Sequence, residues 1–219
     1  MVTSGNVLAD IGTDHGYIPI YLIQSKRISH AVAMDIGKGP LLRAQEHIAK
    51  YQLGAYIETR LSDGAKELCY GEVSSVVIAG MGGETILSIL KAAPWTADGH
   101  HTLLLQPQTH EELVRQYLAE NGFIITREAL VRDRGTLYTV MEARAGKAKL
   151  TLTQIWGGVC LLRDPLADRY IIEKIVRTQA ALAGAKRSAR PADAERAEEL
   201  RAVLTALLRA REEWRHANC

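Results

Sequence analysis

The chain is poor in cysteine and has no long apolar run, and these two absences exclude several protein classes. Its three cysteines, Cys69, Cys160 and Cys219, are far apart, and none forms a C-x-x-C pair. The sequence therefore indicates neither a disulfide framework nor a zinc site, and we expect no bound metal and a reducing cytoplasm. No apolar run reaches membrane-span length, and the first residues, MVTSGNV, lack a signal-peptide pattern, so we expect no membrane partner.

Aromatic residues and net charge are also modest. Aromatics make up 5% of the chain, with one Phe, so surface for stacking bases is scarce; Tyr17, Trp95 and Tyr138 are the candidates. The formal net charge is +2, but from Gly146 onward there are 14 Lys and Arg residues against 9 Asp and Glu, whereas the preceding residues carry 13 against 16. This distribution suggests an anionic partner for the C-terminal region.

Both common phosphate-binding loops are missing. A Walker loop occurs nowhere, and at the position of a dinucleotide fingerprint the residues are Gly12, Asp14 and Tyr17, so only the first glycine is present. What is present is the stretch VLADIGTDHGYIP, residues 7–19, which predicts a buried strand, a tight polar turn and the start of a helix. That arrangement commonly holds a nucleotide-like ligand in an open α/β sheet.

The acidic residue in this turn indicates the charge of the ligand that the turn can bind. Asp14 would repel a pyrophosphate at the helix N-terminus, but it suits a cation. S-adenosylmethionine carries an ammonium and a sulfonium and no phosphate, so the pattern favours it over NAD or ATP. The alternative is an ordinary strand-to-helix turn in which Asp and Thr cap the helix.

Three further apolar runs end in polar or glycine residues. The first ends at Asp35, which suits ribose hydroxyls; the second ends at Ser62, Asp63 and Gly64, which suit an adenine edge; the third ends at residues 80–83, Gly-Met-Gly-Gly. The carboxyl ends of strands in an open α/β sheet form one crevice, so we expect these residues to lie together.

Five segments in this order, DIGTDHGYIP, AMDIGKGPLLRA, SDGAKEL, VVIAGMGGETI and LLLQPQ, resemble the bacterial tRNA adenine-N1 methyltransferase family that acts at adenine 22. The similarity covers roughly Val7 to Arg144. Two departures stand out: six residues precede the first strand where the family usually has a helical segment, and Gln108 stands where the family commonly has Asn.

The residues and the resemblance together predict the site. S-adenosylmethionine is the expected cofactor and tRNA the expected partner. The expected cofactor-binding residues are Asp10, Gly12, Thr13, Asp14, His15, Tyr17, Asp35, Ile36, Ser62, Asp63, Gly64, Ala79, Gly80, Met81 and Gly82. The expected substrate-binding residues are Gly83, Gln106, Pro107 and Gln108, with Lys186, Arg187 and Arg190 reaching phosphates.

Catalytic candidates are Asp14, His15 and Asp63, because the methylated base is cationic until a proton leaves N6. His15 in the turn could titrate near neutral pH, or it could only shape the loop. Met81, Gly82 and Gly83 occupy the place where many base methyltransferases have an Asn/Asp-Pro-Pro-aromatic motif that holds an exocyclic amine. Its absence favours a ring nitrogen over N6 as the target.

The order of elements predicts a Rossmann-like class I methyltransferase domain over residues 1–146, with a mostly parallel sheet. In this prediction Pro107 stops the fifth strand, Thr109 caps the next helix, and a hairpin turns at Asp133-Arg134-Gly135. Residues 147–219 predict a C-terminal α-helical hairpin, coiled-coil-like, with helices from about Leu166 to Arg187 and from Asp193 to about His216.

The function of the helical arm stays open at this level. Apolar stripes usually mean packing or dimerisation, whereas a basic tip suits RNA phosphates. Three hypotheses follow: a monomeric tRNA adenine-N1 methyltransferase, a methyltransferase of a small molecule or protein, and a non-catalytic RNA-binding module of the same fold.

Overall fold

The computed structural model describes residues 6–187 and 190–218. Over these residues the chain divides into two compact units, Met1–Arg127 with Val140–Ala148, and Glu128–Thr139 with Lys149–Cys219. The chain leaves and re-enters the first unit within the strands of one long hairpin, so the tip of that hairpin belongs to the second unit.

The first unit alternates strands and helices, as the sequence predicts. Its strands are β1 (Asn6–Ile11), β2 (Ile28–Asp35), β3 (Ile57–Leu61), β4 (Ser75–Gly82) and β5 (Thr102–Thr109). Its helices are α1 (Tyr17–Gln24), α2 (Lys38–Lys50), α3 (Gly83–Ala92) and α4 (Glu111–Glu120), with a 3₁₀ turn at Pro94–Ala97. No α-helix follows β3, where residues 62–74 form turns instead.

The hairpin strands β6 (Phe123–Asp133) and β7 (Thr136–Ala145) complete a seven-stranded sheet in the order β3-β2-β1-β4-β5-β7-β6. The first five strands are parallel, and β7 runs antiparallel to β5. Sequence order reverses between β1 and β4, which is the point where open α/β sheets bind ligands. The predicted Rossmann-like fold with a mostly parallel sheet is confirmed.

Apolar side chains hold the sheet between its helices. One buried cluster joins Leu8, Ala33 and Val77 of the strands to Ile20 of α1 and Ile48 of α2. Burial of each Leu, Ile or Val side chain stabilises the folded state by about 1.5–3 kcal/mol. This packing fixes the carboxyl ends of β1, β2 and β4, and therefore the residues that follow them.

Two local predictions about the fifth strand are wrong. Strand β5 continues through Pro107 to Thr109: Pro107 lies opposite Met81 of β4 between two register shifts, where proline is tolerated, and the pairing of β5 with β7 runs only from Thr102 to Leu105. Thr109 lies in the strand and does not cap α4; His110 is the N-cap residue, in a left-handed conformation with φ 55°, and its side chain makes no capping hydrogen bond.

The second unit contains the predicted helical hairpin, formed by α6 (Ala167–Arg187) and α7 (Pro191–Asn218). Ser188 and the residue after it, part of the predicted turn, lie outside the described residues. A short helix, α5 (Leu152–Gly157), was not predicted, although the capping box formed by Thr151 and Gln154 marks its start.

Apolar residues also form the core of the second unit, where Ile171, Ile175, Val203 and Leu207 pack together. Val176 of α6 and Leu208 of α7, which are also apolar, are exposed. Over the part of the chain that the structure describes, no helix is long and apolar enough to cross a membrane.

Candidate functional site

The glycine turn after β1 lies at the point where strand order reverses. The N–H groups of Gly12 and Thr13 both donate to the carbonyl of Met34 at the end of β2, at 2.8 and 2.9 Å. Gly12 and Gly16 have φ values of 75° and 71°, which glycine adopts without strain. Asp14 adopts φ 47° without that freedom. The turn is therefore tied to the neighbouring strand and bent sharply enough to start α1.

A buried carboxylate lies beneath this turn. Asp10 is 2% exposed and accepts a hydrogen bond from the Thr13 hydroxyl at 2.6 Å. Burial raises the pKa of the Asp10 carboxyl from 3.8 to about 6; the Thr13 hydrogen bond opposes this rise, and the charge of Asp35 adds to it. A carboxylate that is costly to ionise alone favours a cationic neighbour.

Asp35, at the end of β2, is also buried and is held by the backbone on both sides. Its Oδ1 accepts from the N–H of Gly37 at 2.8 Å, and its Oδ2 accepts from the N–H of Asp14 at 3.3 Å. A carboxylate has about four acceptor positions, so Asp35 keeps capacity for further donors. Ile36, next along the chain, is 70% exposed.

Helix α2 contacts the turn through two residues that the sequence analysis did not single out. Arg43 donates to Asp14 Oδ1 at 2.7 Å, and His47 Nδ1 lies 2.9 Å from the carbonyl oxygen of His15. The rings of His15, Tyr17 and His47 are nearly parallel, with centroids 5.2–5.4 Å apart. An Arg and a His four residues apart on α2 were the available signal, but only the fold shows that they face the turn.

One ring nitrogen of His15 has a polar neighbour, and the other has none among the described residues. Its Nε2 lies 3.4 Å from Asp14 Oδ2. Within the described residues, its Nδ1 is buried and has no hydrogen-bond partner. A buried nitrogen without a partner is costly, and such atoms often mark a site that acquires a ligand.

The segment after β3 approaches the same crevice edge. The N–H of Ser62 donates to the carbonyl of Asp35 at 2.9 Å, and its hydroxyl donates to the carbonyl of Gly64 at 2.8 Å. Asp63 is exposed and paired with Lys66. The structure therefore joins Ser62 to Asp35, whereas the Asp63 carboxylate is already neutralised by a lysine.

The glycine-rich residues 80–83 form the irregular end of β4 and the first residue of α3. The register with β5 shifts on both sides of Met81, and Gly80 has φ 77°. The terminal methyl group of Met81 occupies the space that a side chain at Gly12 would need. Met81 therefore covers the turn after β1.

Gly83, predicted to bind substrate, is buried at the start of α3. A methyl group there would lie 2.6 Å from the His110 carbonyl oxygen and 2.7 Å from that of Thr109. Close backbone packing explains why glycine is needed at this position.

Of the Gln-Pro-Gln group in β5, Gln106 faces the end of β4. Its Oε1 accepts from the N–H of Gly80 at 2.9 Å. Pro107 is buried, and the Gln108 side chain is exposed, with its Nε2 near Gly80.

An open apolar groove of about 440 Å³ lies beside these residues. Tyr17, Ile18 and Tyr21 of α1 line one side, and Ala79 and Gln106 line the other. Tyr17 is 62% exposed, so it has surface left for a flat partner.

The three basic residues predicted to reach phosphates lie in the second unit. Lys186 and Arg187 end α6 with exposed side chains, and Arg190, also exposed, precedes α7. Positive charge at a helix C-terminus is favourable for the helix itself, so Lys186 and Arg187 have a structural role as well.

A glycine turn, buried carboxylates and a strand-order reversal define a Rossmann-like cofactor-binding fold. A family model described as "Methyltransferase domain" matches residues 1–141. This chain belongs to that methyltransferase family.

One relative and one solved structure are named as tRNA methyltransferases that act at adenine 22. The chain is 36% identical over 145 residues to the tRNA (adenine(22)-N(1))-methyltransferase of Bacillus subtilis (strain 168), a match covering 66% of this chain and 61% of that protein. The crystal structure of the B. subtilis m1A22 tRNA methyltransferase TrmK has a TM-score of 0.88 and 27% identity, covering 96% of this chain and 94% of that one.

Streptococcus pneumoniae Sp1610 in complex with S-adenosyl-L-methionine has a TM-score of 0.84 and 27% identity, covering 96% of this chain and 94% of that one. The chain spans 61–65% of the length of the curated relatives it matches.

Proposed function

We propose that this chain transfers a methyl group from S-adenosylmethionine to N1 of adenine 22 in the D arm of tRNA. The observation that carries the proposal is the group of carboxylates, Asp10, Asp14 and Asp35, around the glycine turn at the strand-order reversal. This site suits a cationic nucleoside better than a phosphorylated one. The relatives named as tRNA adenine-N1 methyltransferases, and the neighbour solved with S-adenosylmethionine, support the same conclusion.

In this proposal Asp35 holds the ribose hydroxyl groups of the cofactor. Its oxygens already accept backbone N–H groups on both sides, which fixes the carboxylate in one orientation. Ile36 and the Ser62–Gly64 segment adjoin Asp35 and enclose the adenine. The ammonium and sulfonium then lie towards the glycine turn, where Asp10 and Asp14 balance their charge.

Met81 lies beside the turn at which the cofactor is proposed to bind. Its methyl group covers Gly12 in this structure, and a methionine side chain rotates easily because it is unbranched. Ala79, Gly80 and Gly82 then leave room on the β4 side for the reacting methyl group. Gln106 and Gln108 lie at the same strand end; the exposed Gln108 amide can meet a base edge, whereas the Gln106 amide already bonds Gly80 and the Pro107 carbonyl.

The chemical step needs alignment more than a strong base. The lone pair of adenine N1 attacks the methyl carbon, the carbon–sulfur bond breaks, and its electrons leave with sulfur as a neutral thioether. Alignment can lower such a barrier by about 7–11 kcal/mol in favourable cases. The methylated adenine is cationic until N6 loses a proton.

Among the predicted acceptors for that proton, His15 is the one that the geometry supports best. Its Nδ1 is buried without a partner among the described residues, whereas Asp63 is paired with Lys66 and Asp14 with Arg43. Tyr17 stacks on His15 and keeps exposed surface, so it is placed to contact the extruded base.

We also propose a division of labour along the chain, with residues 1–146 binding the cofactor and residues 147–219 forming a tRNA-binding arm. Lys186, Arg187 and Arg190 support this because exposed basic side chains release counterions when they contact phosphates. We further propose that the protein acts as a monomer in the cytoplasm.

Methyl transfer from labelled S-adenosylmethionine to unmodified tRNA tests the proposed function. The protein should label tRNA and should not label bulk protein or small-molecule extracts. The Asp35→Ala variant is the matched control, since it removes the ribose ligand but leaves the arm intact. Label in protein or small molecules alone would favour a different methyl acceptor, and cofactor binding without any transfer would favour a non-catalytic module.

A further inference from the structure

Helix α2 holds the acidic turn through two side chains that lie one helical turn apart. Arg43 donates to the Asp14 carboxylate at 2.7 Å, and His47 Nδ1 lies 2.9 Å from the His15 carbonyl oxygen. Because a carbonyl oxygen only accepts, His47 must carry a proton on Nδ1. Residues four apart on a helix share one face, so the two contacts act together.

Ring contacts reinforce this arrangement. The His47 ring lies 5.4 Å from the ring of His15 and 5.2 Å from that of Tyr17, with interplanar angles of 23° in both cases. Near-parallel rings in an offset stack at such centroid distances attract one another. His47 is therefore fixed by a hydrogen bond and by two ring contacts, all to the same turn and the helix that follows it.

The turn needs external support because Asp14 is in a left-handed conformation, with φ 47°. Residues other than glycine reach that region at a cost and stay there when their surroundings fix them. In this conformation the Asp14 N–H lies 3.3 Å from Asp35 Oδ2. The backbone at Asp14 thus connects α2 to the carboxylate at the end of β2.

We propose that Arg43 and His47, here called the α2 clasp, are positioning residues for the cofactor site. The clasp keeps Asp14 in its left-handed conformation, so that the Asp14 N–H orients the carboxylate of Asp35. Neither clasp residue needs to touch the cofactor. The inference rests on the proposed function, because its effect is measured as affinity for the demethylated cofactor.

Stability and cofactor affinity should respond differently to clasp variants. Arg43 and Asp14 are each about half exposed, and exposed ion pairs contribute little to folding. Neither Arg43 nor His47 belongs to the buried apolar cluster that holds the sheet. Loss of the clasp should therefore weaken cofactor binding, while the midpoint of thermal unfolding changes little.

The experiment measures S-adenosylhomocysteine binding to the full chain by calorimetry. His47→Ala removes the donor and the ring; His47→Asn keeps an N–H donor near the Nδ1 position; Arg43→Ala removes the ion pair. Lys50→Ala, at an exposed position on the same helix, is the matched control. Thermal unfolding of each protein is followed in parallel.

We expect His47→Ala to weaken binding roughly tenfold, the effect of about one lost hydrogen bond. Arg43→Ala should weaken it several-fold, His47→Asn should recover most of the affinity, and Lys50→Ala should match the wild type. Normal affinity in both alanine variants would overturn the clasp. So would losses that follow the thermal midpoint and are not recovered by His47→Asn. A wild-type protein that does not bind the ligand would instead overturn the proposed function.

Discussion

Replacing Asp10 with Asn should change how the stability of the protein depends on pH. Asp10 is 2% exposed, and burial raises its pKa to about 6 from an ordinary value of 3.8. The folded protein therefore holds the Asp10 proton more tightly than the unfolded chain does. The stability that the protonated Asp10 gives to the fold is fully present below about pH 4 and is lost as the pH rises through about 6.

The size of the effect follows from that difference in pKa. A rise of about two units corresponds to about 3 kcal/mol, of which about 2 kcal/mol falls between about pH 4.5 and about pH 8. Asn does not ionise, so Asp10→Asn lacks this loss. The stability of the variant relative to the wild type should therefore improve by about 2 kcal/mol across that range. Any constant cost of the amide cancels from this difference.

Urea unfolding of both proteins at the two pH values measures the effect, and Asp63→Asn serves as a control because that carboxylate is 60% exposed. The control should show little change. A stability difference between Asp10→Asn and wild type that is the same at both pH values would refute the reasoning. The variant should also bind the cofactor less well, because a neutral amide no longer balances a cationic ligand.

Three other predictions concern separate parts of the structure. Asp35→Ala should weaken S-adenosylhomocysteine binding by about 1.5–3 kcal/mol, the worth of hydrogen bonds to a charged group, and unchanged affinity in calorimetry would remove Asp35 from the site. The double variant Lys186→Glu, Arg187→Glu should weaken tRNA binding and flatten its dependence on salt in filter-binding assays, with cofactor affinity unchanged; equal tRNA affinity would favour a packing role for the arm. Gly83→Ala should destabilise the protein by about 1–3 kcal/mol, because its methyl group would meet the His110 carbonyl, and a thermal midpoint equal to that of wild type would contradict that packing.

The sequence predicted the strands and helices of the first unit well, because their apolar patterns follow their burial. Alternating strand and helix signals, each followed by polar or glycine residues, led to the sheet and to the crevice at its carboxyl ends. Predictions failed where a tertiary contact outweighed a local preference. Pro107 stays in β5 at a point where the register with β4 shifts and the pairing to β7 has ended, which no local pattern shows.

The contacts around the turn could not be predicted for a similar reason. Nothing in the sequence near Asp14 and His15 indicates that Arg43 and His47 face them, because that depends on how α2 packs across the sheet. The reach of Met81 to Gly12 likewise depends on β1 and β4 being neighbours. The sequence identified the residue types of the site, whereas their pairing required the fold.

The most direct test of the proposed function identifies the methylated nucleotide. Unmodified tRNA is incubated with the protein and S-adenosylmethionine, digested, and analysed by mass spectrometry, beside a transcript in which guanine replaces adenine 22. We predict N1-methyladenosine at position 22 in the first tRNA and no product in the second. N6-methyladenosine, a methylated guanine or cytosine, or equal methylation of both transcripts would contradict the proposal.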